Sequence, residues 1–575
     1  MKDIWRGLNI GLIICLGIAV VLSCFGVLMP ELPKGDDLIF HLARIESLSE
    51  GLRLGEFPVR IYPHYFKGYG YANGLMYPDL FLYPAAFLCL KGLDVVIAYK
   101  ALILGCTFFT ALFMYRALFK ITAHEWASRL GMLLYTASLY RVVDVWTRAA
   151  LGEVLAFMFI PFIVLGLYYI FFDDDSRWHE LTIGFSGVFL SHLLSGGIWS
   201  GIMMVICLLC LPRLIKQPRR LWNLTKATMM SILLVSFFLF PMFEQLIAQK
   251  LKMSEDIAYY LGDSLLPMKE VFMLPFIEGH PKNWFPGGIG MPVIGIILLG
   301  CLVQYRATKL RQGCYSWLLT GISIFVLVMM CDFFPWYEVL KVLPVFESIQ
   351  FIWRFLMVAT AFLCVSYVVF YSHLTKWYTK GIGILIVVLA LWTGISAQLS
   401  TLYEVEKVNS SILMREEISE YAVNDRNYQV GNAEYVPLKT NISVMYGLEN
   451  RYRVNQAIDY TFSQSGTTIE LNFSNQTEPY LKVEVPLLYY KGYGAKLITD
   501  SGQTSLQVMS GTNGAVRVII SDMVGEGKIV ISYEGTIIQH VTFVVSSLGL
   551  VGFVIILIQS KLKRNRLSDK KESLL

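Results

Sequence analysis

Two adjacent aspartates, a histidine and an arginine stand close together in the stretch GDDLIFHLARI, which begins at Gly35. On a helix that starts there, Asp37, His41 and Arg44 lie at positions i, i+4 and i+7 and share one face. A carboxylate, an imidazole and a guanidinium that face one space can transfer a proton and bind an anion. The alternative is an interfacial helix whose polar face is only solvated, with Asp36 suited to cap its first turn.

Tyrosines separated by glycines follow this stretch, in YPHYFKGYGYANGLMYP. Aromatic rings on a glycine-rich loop suit stacking against the faces of sugars, and Tyr69, Tyr71 and Tyr77 are our candidates. The alternative is the belt of tyrosines that membrane proteins place at the lipid–water interface.

Two further motifs place charged side chains at the ends of apolar stretches. RAALGE carries Arg148 and Glu153, and QFIWRF carries Gln350 and Arg354. A guanidinium at such a position either extends to the lipid headgroups or binds a phosphate, for which its planar geometry is well matched. His192, in FLSHLLSGG, is interpreted as a satisfied core residue.

The composition identifies the class of protein that must position these residues. The chain has 575 residues, of which 55% are hydrophobic and 16% charged, against roughly 25% charged residues in an ordinary soluble domain. Its repeated apolar runs match the length that a bilayer requires of a helix. The ten cysteines lie in or beside apolar stretches, so no disulfide framework is expected.

We predict about twelve membrane spans. Their ranges are 8–28, 101–118, 126–140, 150–172, 181–196, 197–211, 224–241, 289–304, 314–331, 351–371, 381–400 and 541–559. Residues 79–93 could also span, and 181–211 could form one long helix. Lys and Arg concentrate after 211, 304 and 371 and in the tail KLKRNR, which predicts a plasma-membrane protein with both termini in the cytoplasm. Residues 30–78 and 401–540 would then face the outside.

Residues 401–540 differ from the rest of the chain. TTIELNFS, YLKVEVPLLYY, AVRVIIS and KIVISYEG alternate apolar and polar residues and are separated by turn-forming residues. They predict an extracytoplasmic antiparallel β-sandwich. The predicted organisation is a membrane domain (1–400), this β domain (401–540), and a last span with a basic tail (541–575).

Together, GDDLIFHLARI, GYGYANGLMYP, RAALGE and QFIWRF resemble the bacterial membrane proteins labelled 6-pyruvoyl-tetrahydropterin-synthase-related and their YfhO-like relatives. The C-terminal stretches EYVPLKT and VPLLYYKGYGAKL also resemble the exported domain of the YfhO-like proteins. The chain lacks the clustered histidines that a zinc-dependent pterin synthase needs. The resemblance instead implies a GT-C type glycosyltransferase, with a many-helix membrane core and an acidic catalytic residue in the first external loop. The family pattern G-x-D-x-x-F-H places that residue on Asp37, and this chain departs from the family at Ile352, where a proline is common.

The resemblance further implies a donor sugar carried on a polyprenyl phosphate and an acceptor glycan or polymer of the cell envelope. Asp37 would be the general base, with Asp36 as a second candidate. Arg354 and Arg148 would stabilise the leaving phosphate, assisted by Arg44 or His41. No metal is expected to be obligatory, although the neighbouring carboxylates leave room for a divalent ion.

Two other functions stay open. A transporter or flippase for a lipid-linked saccharide would place ionisable groups near the bilayer midplane, whereas here they gather at the ends of apolar stretches. A non-catalytic subunit of envelope assembly would not need the shared face of acid, histidine and arginine. Membrane lipid is an expected partner in every case, and nucleic acid is not.

Overall fold

The computed structural model describes residues 9–29, 32–33, 35–254, 261–272, 292–307, 311–407, 412–413, 433–447 and 452–572. The α-helices in these ranges are α1 Ile10–Cys24, α2 Leu38–Arg53, α3 Asn73–Met76, α4 Tyr83–Leu90, α5 Val95–Thr122, α6 Glu125–Thr136, α7 Leu139–Trp146, α8 Leu151–Phe172, α9 His179–Phe189, α10 Leu193–Leu209, α11 Leu211–Lys216, α12 Pro218–Ala248, α13 Met268–Phe272, α14 Pro292–Ala307, α15 Arg311–Met329, α16 Trp336–Val342, α17 Leu356–Ser372, α18 Trp377–Lys407, α19 Ile442–Gly447 and α20 Ile537–Glu572.

The protein is a helical membrane protein. Among the described residues, 8 helices are long and apolar enough to cross a bilayer: Ile10–Val27, Val95–Thr122, Leu151–Phe172, Pro218–Ala248, Arg311–Met329, Ile352–Ser372, Trp377–Ser396 and Ile537–Lys563. Each coincides with a predicted span. Leu80–Leu90 and Leu193–Leu209 are shorter apolar helices, and the total of about twelve spans stays a prediction.

Two stretches that were predicted to span the membrane take a different form. The stretch 126–140 falls on α6 and α7, which have 12 and 8 residues and are shorter than the roughly 20 residues of a spanning helix. The stretch 181–211 divides into α9 and α10, with the break at His192 instead of residue 196. His192 caps α10 by accepting a hydrogen bond from Ser195 N at 3.3 Å, which explains the position of the break.

Helices α8 and α17 form the centre of the bundle. Almost every residue of both is buried by other helices, with α17 against α15 and α6 and α8 against α9 and α5. Their aliphatic and aromatic side chains fill the main hydrophobic core. Glu153 lies in the first turn of α8 and Arg354 in the 3₁₀ turn Ile352–Phe355 that leads into α17. The two most enclosed helices therefore carry predicted site residues at their N-terminal ends.

The C-terminal domain is an antiparallel sheet. Its strands are β3 Arg453–Val454, β4 Asp459–Ser465, β5 Thr468–Ser474, β6 Leu481–Leu488, β7 Tyr493–Thr499, β8 Gly502–Ser510, β9 Ala515–Ile520 and β10 Gly527–Tyr533, after a separate pair, β1 Leu32–Pro33 and β2 Ile412–Leu413. The strand order is β3-β6-β9-β8-β7-β10-β5-β4.

The four strands that alternation predicted are β5, β6, β9 and β10, and all four are confirmed. The two separate sheets of a sandwich are not observed. The first half of β8 pairs with β7 and its second half with β9, so this one strand joins both ladders into a continuous sheet of eight strands. Strand β8 therefore links the two ladders.

The sheet packs on the loop between α1 and α5. Apolar residues of β5, β6, β7, β9 and β10 share one hydrophobic core with residues 59–76. Leu488 N donates to Tyr69 O at 2.7 Å, and Gln464 Nε2 donates to Gly68 O at 2.7 Å. The loop that carries the predicted catalytic motif and the C-terminal domain are therefore folded together.

Candidate functional site

The two aspartates lie at the start of α2, but the capping position differs from the predicted one. Asp37, and not Asp36, is the N-cap residue, and its side chain makes no capping hydrogen bond. The backbone instead fixes the pair, because Asp36 N donates to Thr147 O at 3.2 Å and Asp37 N to Arg148 O at 2.9 Å. Both carboxylates are exposed. The Asp37 carboxylate is thus accessible and held beside the segment that carries Arg148.

Gly35 allows this close approach of the two segments. A Cβ at Gly35 would lie 2.6 Å from Ala149 Cβ and 2.8 Å from Trp146 O, closer than atoms pack in proteins. Ala149 itself has a φ of 51°, in the left-handed region that residues other than glycine rarely adopt. The contact between residues 35–37 and 146–149 therefore has no space for a larger residue.

Replacing Gly35 by alanine should separate the aspartates from Arg148. Overpacking costs about 1–3 kcal/mol, and a displacement of about 1 Å at a reacting group can lower a rate about 100-fold. The measurement is the melting temperature of the purified protein together with the activity proposed below. Gly105→Ala is the control, since a Cβ at Gly105 meets no atom within 4 Å. Equal behaviour of the two variants would contradict this role of Gly35.

Glu153 connects the two predicted phosphate-binding arginines. Glu153 Oε1 accepts from Arg148 Nη2 at 3.0 Å and from Arg354 Nε at 3.1 Å. Tyr140 donates its hydroxyl to Glu153 Oε2, and Arg148 Nη1 also donates to Asp144 Oδ1 at 2.5 Å. All four charged side chains are buried, so their charges must be balanced locally. Two carboxylates and two guanidiniums supply that balance.

Gln350 lies at a strained turn beside Arg354. Its φ of 65° and ψ of −51° are those of a γ-turn of the rare, strained type. The turn is closed by a hydrogen bond in which Phe351 N donates to Ile349 O at 2.8 Å. Arg354 Nη1 stabilises the turn by donating to Ile349 O at 2.6 Å and to Gln350 Oε1 at 2.8 Å. Ile352 N donates to Ser264 Oγ at 2.9 Å, a bond that the family's proline could not make.

Arg44 and His41 are enclosed in the protein. Arg44 forms an ion pair with Asp79, and its Nη1 lies 3.1 Å from His41 Nδ1. Asp79 Oδ2 also accepts from the Tyr62 hydroxyl at 2.6 Å. Burial, with the nearby Arg44 and His192, holds the pKa of His41 well below its usual range. Both side chains are buried, and Arg44 connects α2 to the segment at Pro78 and Asp79, so neither is exposed to a phosphate in this structure.

Two of the three predicted sugar-stacking rings are also buried. Tyr69 and Tyr71 lie in the contact with the C-terminal domain, and Tyr71 stacks on Tyr435 with ring centroids 5.6 Å apart. Their faces are occupied by protein, which corrects the expectation that they meet a sugar. Tyr77 is half-buried and lies in the site, with the Arg44 guanidinium 4.1 Å from its ring centroid.

The N-terminal ends of several helices converge here. A Cβ on Gly152, in the first turn of α8, would collide with the Tyr77 hydroxyl and lie 3.1 Å from Cδ2 of His192, the N-cap of α10. Asp37, at the start of α2, interacts electrostatically with Arg148, Arg354 and Glu153. Helix N-termini carry partial positive charge and unpaired N–H groups, so their convergence favours an anionic ligand.

Asp36 and Asp37 both have a raised pKa. Burial raises the pKa of Asp36 to about 6, the Asp37 charge adds to the rise, and Arg148 opposes it. Burial also raises the pKa of Asp37, against the attraction of Arg148 and Arg354. Both residues thus keep an exposed surface while neighbouring atoms desolvate their carboxylates, and each carboxylate is a stronger base than a free aspartate.

Four site residues were not predicted from the sequence: Asp79, Tyr140, Asp144 and Glu434. Asp144 stands four residues before Arg148, a spacing that could have identified the pair. Glu434 interacts electrostatically with Arg354 and also with Asp37, which stands nearly 400 positions earlier in the chain, so no local spacing could have linked it to the site. In the described part of the chain no three His, Cys, Asp or Glu side chains are arranged to hold a metal ion, and metal dependence stays a prediction.

No protein family model matches the chain. An uncharacterised protein of Lactococcus lactis subsp. cremoris (strain MG1363) is 22% identical over 334 residues, which are 55% of this chain and 53% of that protein. The chain therefore spans about half the length of this relative.

One solved structure that resembles the chain is the archaeal oligosaccharyltransferase AglB from Archaeoglobus fulgidus, in complex with an inhibitory peptide and a dolichol-phosphate. The TM-score is 0.39 at 11% identity, over 67% of this chain and 55% of that one. So low a TM-score carries no conclusion about fold or function. The resemblance to the YfhO-like family accordingly stays a prediction that rests on the residues quoted above.

Proposed function

We propose that this protein is an inverting glycosyltransferase of the GT-C type that moves a sugar from a polyprenyl phosphate to a cell-envelope acceptor on the outer side of the membrane. The observation that carries the proposal is the position of Asp37. The residue is exposed, its side chain makes no capping hydrogen bond, and its backbone is bonded to Arg148. The Asp37 carboxylate also interacts electrostatically with Arg354. A base next to two cations is what displacement of a phosphate by a hydroxyl requires.

In the proposed reaction, Asp37 accepts the proton of an acceptor hydroxyl as its oxygen forms a bond to the anomeric carbon of the sugar. The bond from that carbon to the lipid phosphate breaks, and the phosphate leaves with the electron pair. One in-line displacement inverts the anomeric centre. Arg354, assisted by Arg148 and the converging helix N-termini, stabilises the charge that develops on the phosphate.

The test is the envelope glycan composition of a strain that lacks the gene, compared with the same strain carrying the wild-type gene. We expect the deletion to remove a glycan modification and the wild-type gene to restore it. Accumulation of lipid-linked sugar on one leaflet, with no change in transfer, would support a transporter instead. An unchanged envelope would contradict both functions.

The pH dependence of transfer provides a second measurement. Because the base must be ionised and burial raises the pKa of Asp37 above its ordinary value of 3.8, the rate should fall as the pH decreases, with a midpoint above 3.8. Arg354→Gln removes a cation that lowers this pKa, and should move the midpoint to a higher pH. Initial rates in membrane vesicles between about pH 4 and pH 8 measure it. A rate independent of pH would contradict Asp37 as the base.

A further inference from the structure

The γ-turn at Gln350 is held in its strained form by the protein around it. Phe351 N donates to Ile349 O at 2.8 Å, and the next amide, Ile352 N, donates to Ser264 Oγ at 2.9 Å. The second bond joins residues 88 positions apart. Such constraints are what allow a fold to keep a residue in a conformation that a free chain avoids.

The conformation is unusual for glutamine. With a φ of 65° and a ψ of −51°, Gln350 lies in a region that glycine enters readily and that residues with a Cβ rarely adopt. Strained residues of this kind cluster at functional sites, where the strain is part of how the site works. The contacts of the Gln350 side chain indicate what that function is.

The Gln350 amide is one of three groups that occupy the Arg354 guanidinium. Of the five N–H donors of an arginine, that on Nε donates to Glu153 Oε1 at 3.1 Å, and Nη1 donates to Ile349 O at 2.6 Å and to Gln350 Oε1 at 2.8 Å. Within the ranges that the structure describes, the two N–H groups of Nη2 have no partner. Enclosed polar atoms without a partner do occur in this protein, but Nη2 is not one of them, so it reaches open space.

The direction of Nη2 is fixed relative to the proposed base. The Phe351 ring lies 5.4 Å from the Arg354 guanidinium carbon. Glu153 Oε1, which accepts from Arg354, also accepts from Arg148 Nη2 at 3.0 Å, and Arg148 O accepts from Asp37 N at 2.9 Å. A continuous series of hydrogen bonds therefore connects the γ-turn to Asp37.

We infer that Gln350 is a positioning residue, whose γ-turn directs Nη2 of Arg354 at the phosphate of the lipid-linked donor. The inference rests on the proposed function and assigns the phosphate contact to one nitrogen. Two N–H groups of a guanidinium suit the oxygens of a phosphate. Gln350 acts through Arg354 and does not itself touch the phosphate.

The test uses the full chain, purified and reconstituted into liposomes. The donor is a lipid extract of the deletion strain, labelled in its sugars and added at increasing concentration. Envelopes stripped from the same strain are the acceptor, in excess. The variants are Gln350→Ala, Gln350→Gly and Gln350→Glu. The control is Ala123→Gly, which alters another residue of positive φ (53°), at the C-terminal end of α5.

We expect Gln350→Ala and Gln350→Gly to lower kcat about ten- to hundredfold, because a displacement of about 1 Å at a reacting group has an effect of this size. The KM for the donor should change less, since the contact strengthens as charge develops on the phosphate. Gln350→Glu keeps an acceptor oxygen and should recover most of the kcat. Ala123→Gly should transfer like wild type.

The melting temperature tests the strain. Gln350→Gly should melt at a higher temperature than Gln350→Ala, because both lack the amide but only glycine relieves the positive φ. A protein with Gln350→Gly that melts no higher than Gln350→Ala would overturn the inference, since the turn would then store no strain.

A double variant separates positioning from a general structural role. If Gln350 acts only through Arg354, Gln350→Ala should not lower kcat further in an Arg354→Gln protein. A further loss of similar size in that protein, or an unchanged kcat of Gln350→Ala alone, would overturn the inference and leave the proposed function intact. Absence of transfer by wild type would instead overturn the proposed function, and the inference with it.

Discussion

Replacing Asp37 by asparagine should lower glycosyl transfer by about 10²–10⁴-fold, the usual contribution of a general base. Asparagine has nearly the same shape but cannot accept the proton of an incoming hydroxyl. The Asp37 side chain makes no hydrogen bond within the described structure, so the substitution should leave folding and membrane insertion unchanged. Transfer of labelled sugar in membrane vesicles, normalised to the amount of folded protein, measures the effect.

Asp36→Asn is the matched comparison, because Asp36 is the adjacent, equally exposed carboxylate. Its backbone, not its side chain, holds the loop against residue 147, and we expect a loss of less than about tenfold. The reverse pattern, with Asp36→Asn inactive and Asp37→Asn active, would assign the base to Asp36. Full activity of both variants would remove the catalytic assignment altogether.

Replacing Glu153 by glutamine should damage both stability and transfer. Glu153 is 1% exposed and bonds to two guanidiniums. Its loss leaves Arg354 buried without a carboxylate partner, while Arg148 keeps Asp144. Removing one member of a buried ion pair typically costs about 3–5 kcal/mol, so we expect a clearly lower melting temperature in detergent and little residual transfer.

A double variant separates these two effects. Glu153→Gln with Arg354→Gln removes one negative and one positive charge, and should regain stability relative to Glu153→Gln alone while staying inactive. Glu125→Gln is the control, because Glu125 pairs with Arg129 at an exposed position, where such a pair contributes about 1 kcal/mol or less. A Glu153→Gln protein as stable as Glu125→Gln would show that the cluster is not held together by charge.

The sequence predicted the elements of this protein better than its site. Hydrophobic runs located the eight long helices, and alternation located β5, β6, β9 and β10. These signals are local, since burial in lipid or on one face of a sheet selects residue types along the chain. The failures at 126–140 and at the predicted sandwich concern helix length and strand sharing, which depend on neighbours distant in sequence.

The site shows the same limit. Helical spacing correctly placed His41 and Arg44 on the helix that Asp37 caps. It did not show their environments, since Arg44 is paired with Asp79 and Asp37 is exposed. The rings of Tyr69 and Tyr71 looked available because the sequence does not show that the C-terminal domain covers them. Glu434 begins EYVPLKT, a stretch that the family resemblance includes, but the resemblance gave this residue no role in the site.

The bond from Tyr435 N to the Tyr71 hydroxyl joins residues 364 positions apart, which has a consequence for biosynthesis. The ribosome must synthesise most of the polypeptide before Tyr435 can contact Tyr71, and contacts between residues so far apart in sequence form late in folding. A nascent or truncated chain that ends before Tyr435 would contain Asp36 and Asp37 but would lack the contact between Tyr71 and Tyr435. On the proposed function, catalytic competence would thus arise only after residue 435 has been synthesised, and a copy that ends before this residue would be inactive.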